Sequence, residues 1–267
     1  MYRTDPYDGR MGREPLHDYV SRGFGPATDL YERIRPDYPD DAVDILVWEL
    51  GIARGRIVVD VGAGTGKLTR MLARTGATVI AVEPLAEMRE QLAENVPLAV
   101  PFDGTAERMA LRDGSGDAIT VAQAFHWFEG DRALVVFHRV LAPGRKLGLI
   151  WNVRDRRTAW VDAFDAIVDR IDPLRPDHQT GRWRSAFERT ALFTPLEQQD
   201  VPYEQRLTPA GIVDRALTVS SIAVLPDAER ERVLDEIRAL VATHPDLRGR
   251  DTVSLPYVTK VYWAERR

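Results

Sequence analysis

The chain has 267 residues, 44% of them hydrophobic and 29% charged, which supplies a sizeable core and excludes a disordered polymer. Its 41 acidic and 36 basic side chains give a formal charge of −5, against a surface built to attract nucleic acid or anionic lipid. It has no cysteine, which excludes disulfides, Cys-ligated zinc, iron–sulfur clusters and a thiol nucleophile. The polar start, Met1 to Val20, lacks the apolar stretch of a signal peptide, so a cytoplasmic location is expected. No apolar run approaches the roughly 20 residues that span a bilayer, so no membrane partner is expected. A helix is predicted over Asp41 to Leu50, where Val43, Leu46, Val47 and Leu50 share a face and Gly51 follows as a stop. Arg56 to Val61 is a β-branched run ending in glycines, the pattern of a buried parallel strand. Helix, strand and helix follow at Leu68–Thr75, Ala77–Val82 and Leu85–Asn95, then strands near Leu98–Phe102 and Asp117–Ala122. A helix from Asp131 to Leu141, ended by Pro143-Gly144, leads to a strand from Lys146 to Trp151. This alternation implies a parallel sheet with helices on both faces, but not the order of its strands. Beyond Trp151 the pattern weakens to helices near Trp160–Ile171, Gly211–Leu217 and Asp227–Thr243 and a late strand at Val253–Trp263.

The sharpest local feature is Asp60-Val61-Gly62-Ala63-Gly64-Thr65-Gly66, between a buried strand and a helix. Glycines there let the chain turn tightly and bring backbone N–H groups to a ligand. The dinucleotide fingerprint G-x-G-x-x-G requires glycine where this chain has Lys67. The P-loop requires glycine at Val61 and Ser or Thr at Leu68. Both fingerprints fail at defined positions. Asp60 sets a carboxylate beside the loop, suited to a cationic ligand rather than a pyrophosphate, or else to capping the following helix. Glu83 ends the second strand 21 residues after Gly62, where an acidic side chain accepts both hydroxyls of a ribose, or else is a solvated strand end.

With these residues the sequence resembles the class I S-adenosylmethionine-dependent methyltransferases. The resemblance rests on Val59-Asp60-Val61-Gly62-Ala63-Gly64-Thr65-Gly66 and Ala81-Val82-Glu83-Pro84. It extends through Asp103-Gly104-Thr105-Ala106-Glu107, Asp117-Ala118-Ile119 and Leu141-Ala142-Pro143-Gly144. Phe24, Tyr31, Arg35-Pro36, Tyr38-Pro39 and Gln123-Ala124-Phe125-His126-Trp127-Phe128 are similar to the small-molecule subgroup that includes trans-aconitate-type enzymes. Ser220-Ser221-Ile222 and Leu255-Pro256-Tyr257 resemble it less distinctively. The resemblance implies a doubly wound, Rossmann-like α/β sheet of seven mainly parallel strands with helical insertions in the C-terminal half. It divides the chain into an N-terminal lid, residues 1–40, and a catalytic domain, residues 41–267, with a substrate-side insertion around 153–250. It implies S-adenosylmethionine as cofactor, S-adenosylhomocysteine as product, no metal, and a small-molecule acceptor bound by a monomer or homodimer. Asp60, Gly62, Gly64 and Thr65 would surround the methionine part, and Glu83 would hold the ribose. Pro84 and Met88 would pack near the adenine, and Gly104, Thr105 and Ala106 would border its edge. Thr105 stands where many relatives carry Asp. Gln123 and Ala124 would lie near the transferable methyl, with Tyr31 and Arg35 in the lid.

Methyl transfer from a sulfonium needs mainly an acceptor held in line and water kept out. His126, among aromatic residues, is a general base, a substrate hydrogen-bonding partner or a pocket wall. Trp127 either stacks on a ligand or packs. Trp151, Trp160 and Trp183 either line the acceptor pocket or belong to the core. Asn152 and Arg154 follow the fifth strand, at the edge where α/β ligands bind. Arg154, Arg156 and Arg157 either pair with an acidic substrate or form a solvated cluster. His17, His138, His178 and His244 have no partner spacing and read as ordinary surface or loop residues. Two further readings are a non-catalytic S-adenosylmethionine-binding regulator and an NAD(P)-dependent oxidoreductase. The second is weakened by Lys67 and by the lack of a recognisable catalytic Tyr/Lys pair.

Overall fold

The computed structural model describes residues 28–173 and 178–267. In chain order its elements are α1 (Thr28–Ile34), α2 (Asp40–Leu50), β1 (Ile57–Val61), α3 (Lys67–Ala73), β2 (Thr78–Val82), α4 (Ala86–Asn95), β3 (Val100–Phe102) and β4 (Gly116–Ala122). There follow α5 (Gly130–Val140), β5 (Leu141–Arg154), α6 (Ala159–Ile171), α7 (Arg184–Arg189), β6 (Glu197–Leu207), α8 (Pro209–Leu217), α9 (Ser220–Ala223), α10 (Asp227–Thr243) and β7 (Val253–Glu265).

The seven strands form one sheet in the order β3-β2-β1-β4-β5-β7-β6. β1 to β5 pair in parallel, and β7 runs antiparallel between β5 and β6. On one face α2 and α3 bury Leu46, Leu50, Leu68 and Leu72 against Val58, Val79, Ala118 and Ile150. Contact there is close: a Cβ at Gly148 of β5 would lie 2.5 Å from Leu46 Cδ1. On the other face α5 and α7 bury Leu134, Phe137 and Phe187 against Val59, Ile119, Val121 and Leu149. A third cluster joins α6, α8, α9 and α10 to Leu207, Leu255 and Tyr257. It caps the sheet beyond the C-terminal end of β5, where Arg154 pairs with Tyr257.

The expected α/β alternation is therefore present through β5, and two departures have physical causes. β6 went unread because it is an edge strand whose exposed face carries Glu, Gln and Asp in place of apolar residues. Pro202 within it marks an edge as well, since proline cannot complete an interior ladder. β5 is longer than Lys146–Trp151, so Asn152 and Arg154 lie on the strand, opposite Thr259 and Tyr257 of β7. Among the described residues no helix is long and apolar enough to cross a membrane.

Candidate functional site

From β1 the chain winds outward to β2 and β3, then crosses back to β4. Such a reversal opens a crevice at the C-terminal ends of the two central strands. The glycine loop leaves β1 there, and the Gln123–Trp127 segment leaves β4. The two meet directly. Gly62 has φ +68°, and a Cβ on it would lie 2.8 Å from Ala124 Cβ and 3.3 Å from Phe128 Cζ. Gln123 is the one non-glycine residue with positive φ (57°) among the described residues. Its N–H donates to Ile150 O at 3.0 Å, and its side-chain amide donates to Asn152 O at 3.4 Å. Backbone strain of this kind persists where the surroundings enforce it, commonly at ligand sites.

Glu83 ends β2 with its carboxylate fixed by the backbone. Gly64 N–H donates to Oε2 at 2.9 Å and Leu85 N–H to Oε1 at 3.1 Å. Burial raises its pKa above the usual glutamate range, against the pull of these two N–H groups and of Arg89. A carboxylate has about four lone-pair sites, so each oxygen keeps capacity for one further donor. Two adjacent ribose hydroxyls match that remaining capacity. Met88, in the first turn of α4, brings its sulfur to 4.0 Å from a Cβ at Gly64, and Pro84 is partly exposed beside it. Gly104 lies within 3.3 Å of Val82 through its absent Cβ, and Thr105 exchanges backbone hydrogen bonds with Arg108. The Ala106 side chain, 2% exposed, packs in the core with Val82 and Met109.

By strand alternation Asp60 stands with Val58 on the α2/α3 face, 1% exposed, beneath the loop. Thr69 of α3 donates to one carboxylate oxygen at 2.6 Å and Thr120 of β4 to the other at 2.8 Å. Burial lifts its pKa from 3.8 to about 6, although both threonines pull it down. The native state therefore holds this proton more tightly than the unfolded chain does. The favourable difference is complete below pH 3.8 and is lost as pH rises to about 6. Asp60→Asn, whose amide suits a threonine hydroxyl equally well, is expected to gain stability over the wild type by roughly 2–3 kcal/mol from pH 4 to pH 7. Denaturant unfolding of both proteins at the two pH values measures this; a constant difference would refute it.

After β4, Phe125 is buried, whereas His126 and Trp127 are partly exposed and stack at 5.2 Å between ring centroids. Trp151 Nε1 lies 3.2 Å from His126 Nδ1. Indole nitrogen only donates, so Nδ1 accepts and the imidazole proton sits on Nε2. In this arrangement His126 is a donor, which disfavours the general-base reading. Of the two readings of Trp151, its surroundings fit the core: 1% exposed, it packs at 4.8 Å against both Trp183 and His178. Trp160 and Trp183 are also buried. His178, read from sequence as ordinary, joins this aromatic cluster with Nε2 3.0 Å from the Tyr262 hydroxyl.

The remaining expected contacts turn out to hold the protein together. Asn152 accepts from Thr259 Oγ1 at 2.6 Å and donates to Asp37 O at 3.0 Å. Arg154 donates to Asp165 of α6 from Nε at 2.7 Å, with 9% and 1% of the two side chains exposed, so it serves no solvated cluster. Arg156 and Arg157 do form surface pairs, with Asp162 and Asp169 and with Asp155. Arg35 donates to the Thr218 hydroxyl at 3.1 Å and carbonyl at 2.5 Å, binding the end of α1 to the helical cap. Thr65 is 2% exposed and turns its hydroxyl to Glu32 of α1 at 2.6 Å. Phe24 and the Tyr31 side chain lie outside the described residues. No group of three or more His, Asp or Glu side chains able to hold a metal occurs among the described residues.

Residues 59–149 match the methyltransferase domain family. An uncharacterized methyltransferase of Mycobacterium tuberculosis is 41% identical over 244 residues, covering 90% of this chain and 94% of its own length. The chain belongs to the methyltransferase family. Solved methyltransferases share its fold. A putative type II methyltransferase from Anaeromyxobacter dehalogenans superposes with a TM-score of 0.59 at 24% identity, over 87% of this chain and 96% of its own. An N-methyltransferase from Haemonchus contortus, in complex with phosphomonomethylethanolamine and S-adenosylhomocysteine, superposes at 0.56 with 16% identity, over 94% and 60%. In this methyltransferase the glycine loop, Glu83 and the Gln123–Trp127 segment fall on one edge of the family's sheet, around the crevice between β1 and β4.

Proposed function

We propose that this methyltransferase uses S-adenosylmethionine to methylate a small-molecule acceptor. The observation that carries the reading is Glu83: a buried carboxylate, aimed by two backbone N–H groups beside the glycine loop, with one acceptor site left on each oxygen. Gly62 and Gly64 offer close backbone approach to the methionine part, and Pro84, Met88, Gly104 and Thr105 border the adenine. Gln123 and Ala124, held against Gly62, stand where the methyl is transferred. The sulfonium supplies an activated methyl, because the thioether leaves uncharged. The chain's own contribution is then alignment and exclusion of water. Residues 1–40 act as the cover of this site, of which residues 28–40 are described. A small acceptor is supported by the acidic balance of the chain and by the phosphomonomethylethanolamine held in the H. contortus enzyme of the same fold.

Within this scheme His126 donates from Nε2 to the acceptor, and Trp127 walls the pocket. His126→Gln keeps a donor and is expected to retain turnover that His126→Ala loses at least about tenfold, with cofactor affinity unchanged in both. Equal rates in the two variants would leave His126 as wall only. The deciding test of the whole reading is calorimetric titration with S-adenosylmethionine and, separately, with NADH. Micromolar binding of the first alone is expected; binding of NADH alone would replace methyl transfer by redox chemistry.

A further inference from the structure

Lys67 defeats the dinucleotide fingerprint, and the structure gives it other work. Its ammonium donates to Glu32 O at 2.7 Å and to Asp37 Oδ1 at 3.3 Å. One turn later on α3, Arg70 reaches the same two acids, Glu32 Oε1 at 3.1 Å and Asp37 Oδ1 at 2.9 Å. Glu32 Oε1 also lies 3.6 Å from Lys67 Nζ, and its Oε2 accepts the Thr65 hydroxyl. Two carboxylates of the N-terminal segment thus meet two cations of α3, with net charge zero, around the last residues of the glycine loop. The side chains of Lys67, Glu32 and Arg70 are 13%, 20% and 30% exposed, so solvent screens their attraction less than it screens an open surface pair, while Asp37, at 53%, is the exposed member of the group. Thr65 lies inside the loop, between Gly64, whose N–H holds Glu83, and Gly66, which opens α3.

We infer that Glu32 is a positioning residue for the cofactor loop. Acting through Thr65 and Lys67, this four-charge clasp locks the loop in the shape that binds cofactor and couples that shape to the docking of α1. The inference rests on the S-adenosylmethionine reading. α1 carries the coupling further. At its other end the Ile34 carbonyl accepts from Gln205 of β6 at 2.7 Å, and Arg35 holds Thr218 of the cap. One short helix therefore joins the cofactor loop to the elements that cap the acceptor side. By linkage, whatever tightens the clasp tightens cofactor binding, and cofactor binding tightens the clasp equally. A staple that served stability alone would lack this reciprocity.

The experiment is titration of the full chain with S-adenosylhomocysteine, with thermal midpoints recorded in parallel. Glu32→Ala and Lys67→Met are expected to weaken binding about tenfold, within the usual range of coupling between sites. Glu32→Gln, which keeps an acceptor for Thr65 but no charge, falls between, and Lys67→Arg restores near wild-type affinity. Wild-type affinity is expected to fall as sodium chloride rises from 0.05 to about 0.5 M, and that of Lys67→Met to fall less steeply, because salt screens the clasp and only the Arg70 pairs remain in the variant. Glu32→Ala binding within twofold of the wild type overturns the clasp, whatever the thermal midpoint does. Should the variants fail to fold, salt-independent affinity of the wild type overturns it equally. A wild type that binds no S-adenosylhomocysteine instead overturns the reading of the site, and the clasp with it.

Discussion

Replacing Glu83 by glutamine is expected to weaken S-adenosylhomocysteine binding at least about a hundredfold while leaving the chain folded. A hydrogen bond to a charged group contributes about 1.5–3 kcal/mol, and each 1.4 kcal/mol is tenfold in affinity, so two ribose hydroxyls account for that loss. The local geometry adds to it. The Glu83 carboxylate accepts from Gly64 N–H on one oxygen and Leu85 N–H on the other. Whichever way a glutamine amide turns, its NH2 faces one of those N–H donors, and the loop or the start of α4 must shift. Because burial raises the Glu83 pKa, wild-type affinity is also expected to fall on acidification at a higher pH than an ordinary glutamate would produce. Asp60→Asn is the control. Asp60 lies 1% exposed beneath the loop with its carboxylate turned to Thr69 and Thr120, so that variant is expected to bind within a few-fold of the wild type. Calorimetry decides the matter: Glu83→Gln binding within fivefold of the wild type would remove the ribose assignment.

The contrast between Asp60 and Glu83 shows where sequence runs out. Each is an acidic residue at the end of a β-branched strand, and the chain alone does not show which of the two carboxylates is turned away into the sheet. What separates them is register. Asp60 stands opposite Thr120 on β4, a pairing that exists only because β4 lies beside β1, and strand order leaves no periodic trace. The strands themselves were legible because buried parallel strands are continuous apolar runs, whereas β6 presents its polar edge to solvent and gives no such signal. The crevice was legible because glycines mark it; Gly62 is needed where Ala124 presses against the loop. Partners far apart in the chain were not. Glu32 meets Thr65 and Arg70, His178 meets Tyr262, and Arg35 meets Thr218, and each pair needs the whole fold to form. Long polar side chains near a ligand site look alike in sequence whether they bind the ligand or bind each other.

Arg154 is the case with the largest consequence for stability. Arg154→Met is expected to destabilise the fold by about 3–5 kcal/mol, because it leaves a buried carboxylate without its cation. The Asp165 side chain is 1% exposed, and both Nε and Nη2 of Arg154 approach its Oδ1, at 2.7 and 2.5 Å. Its Oδ2 has no hydrogen-bond partner, and Arg156 Nε lies 4.0 Å from it. Arg154 also stacks 5.3 Å above the Phe164 ring, a contact that methionine replaces only in part. For a chain of this length each kcal/mol moves the thermal midpoint by about 2–4 °C, so a fall of roughly 10 °C is expected. The double variant Arg154→Met/Asp165→Leu removes both charges and fills the space, and is expected to recover most of that loss. Thermal unfolding of the two single variants and the double variant separates a structural pair from a substrate anchor. If Arg154 served an acidic acceptor, the single variant would keep its midpoint and only raise KM. Recovery in the double variant has no counterpart under that reading, since removing Asp165 would return nothing to a site that had lost its arginine.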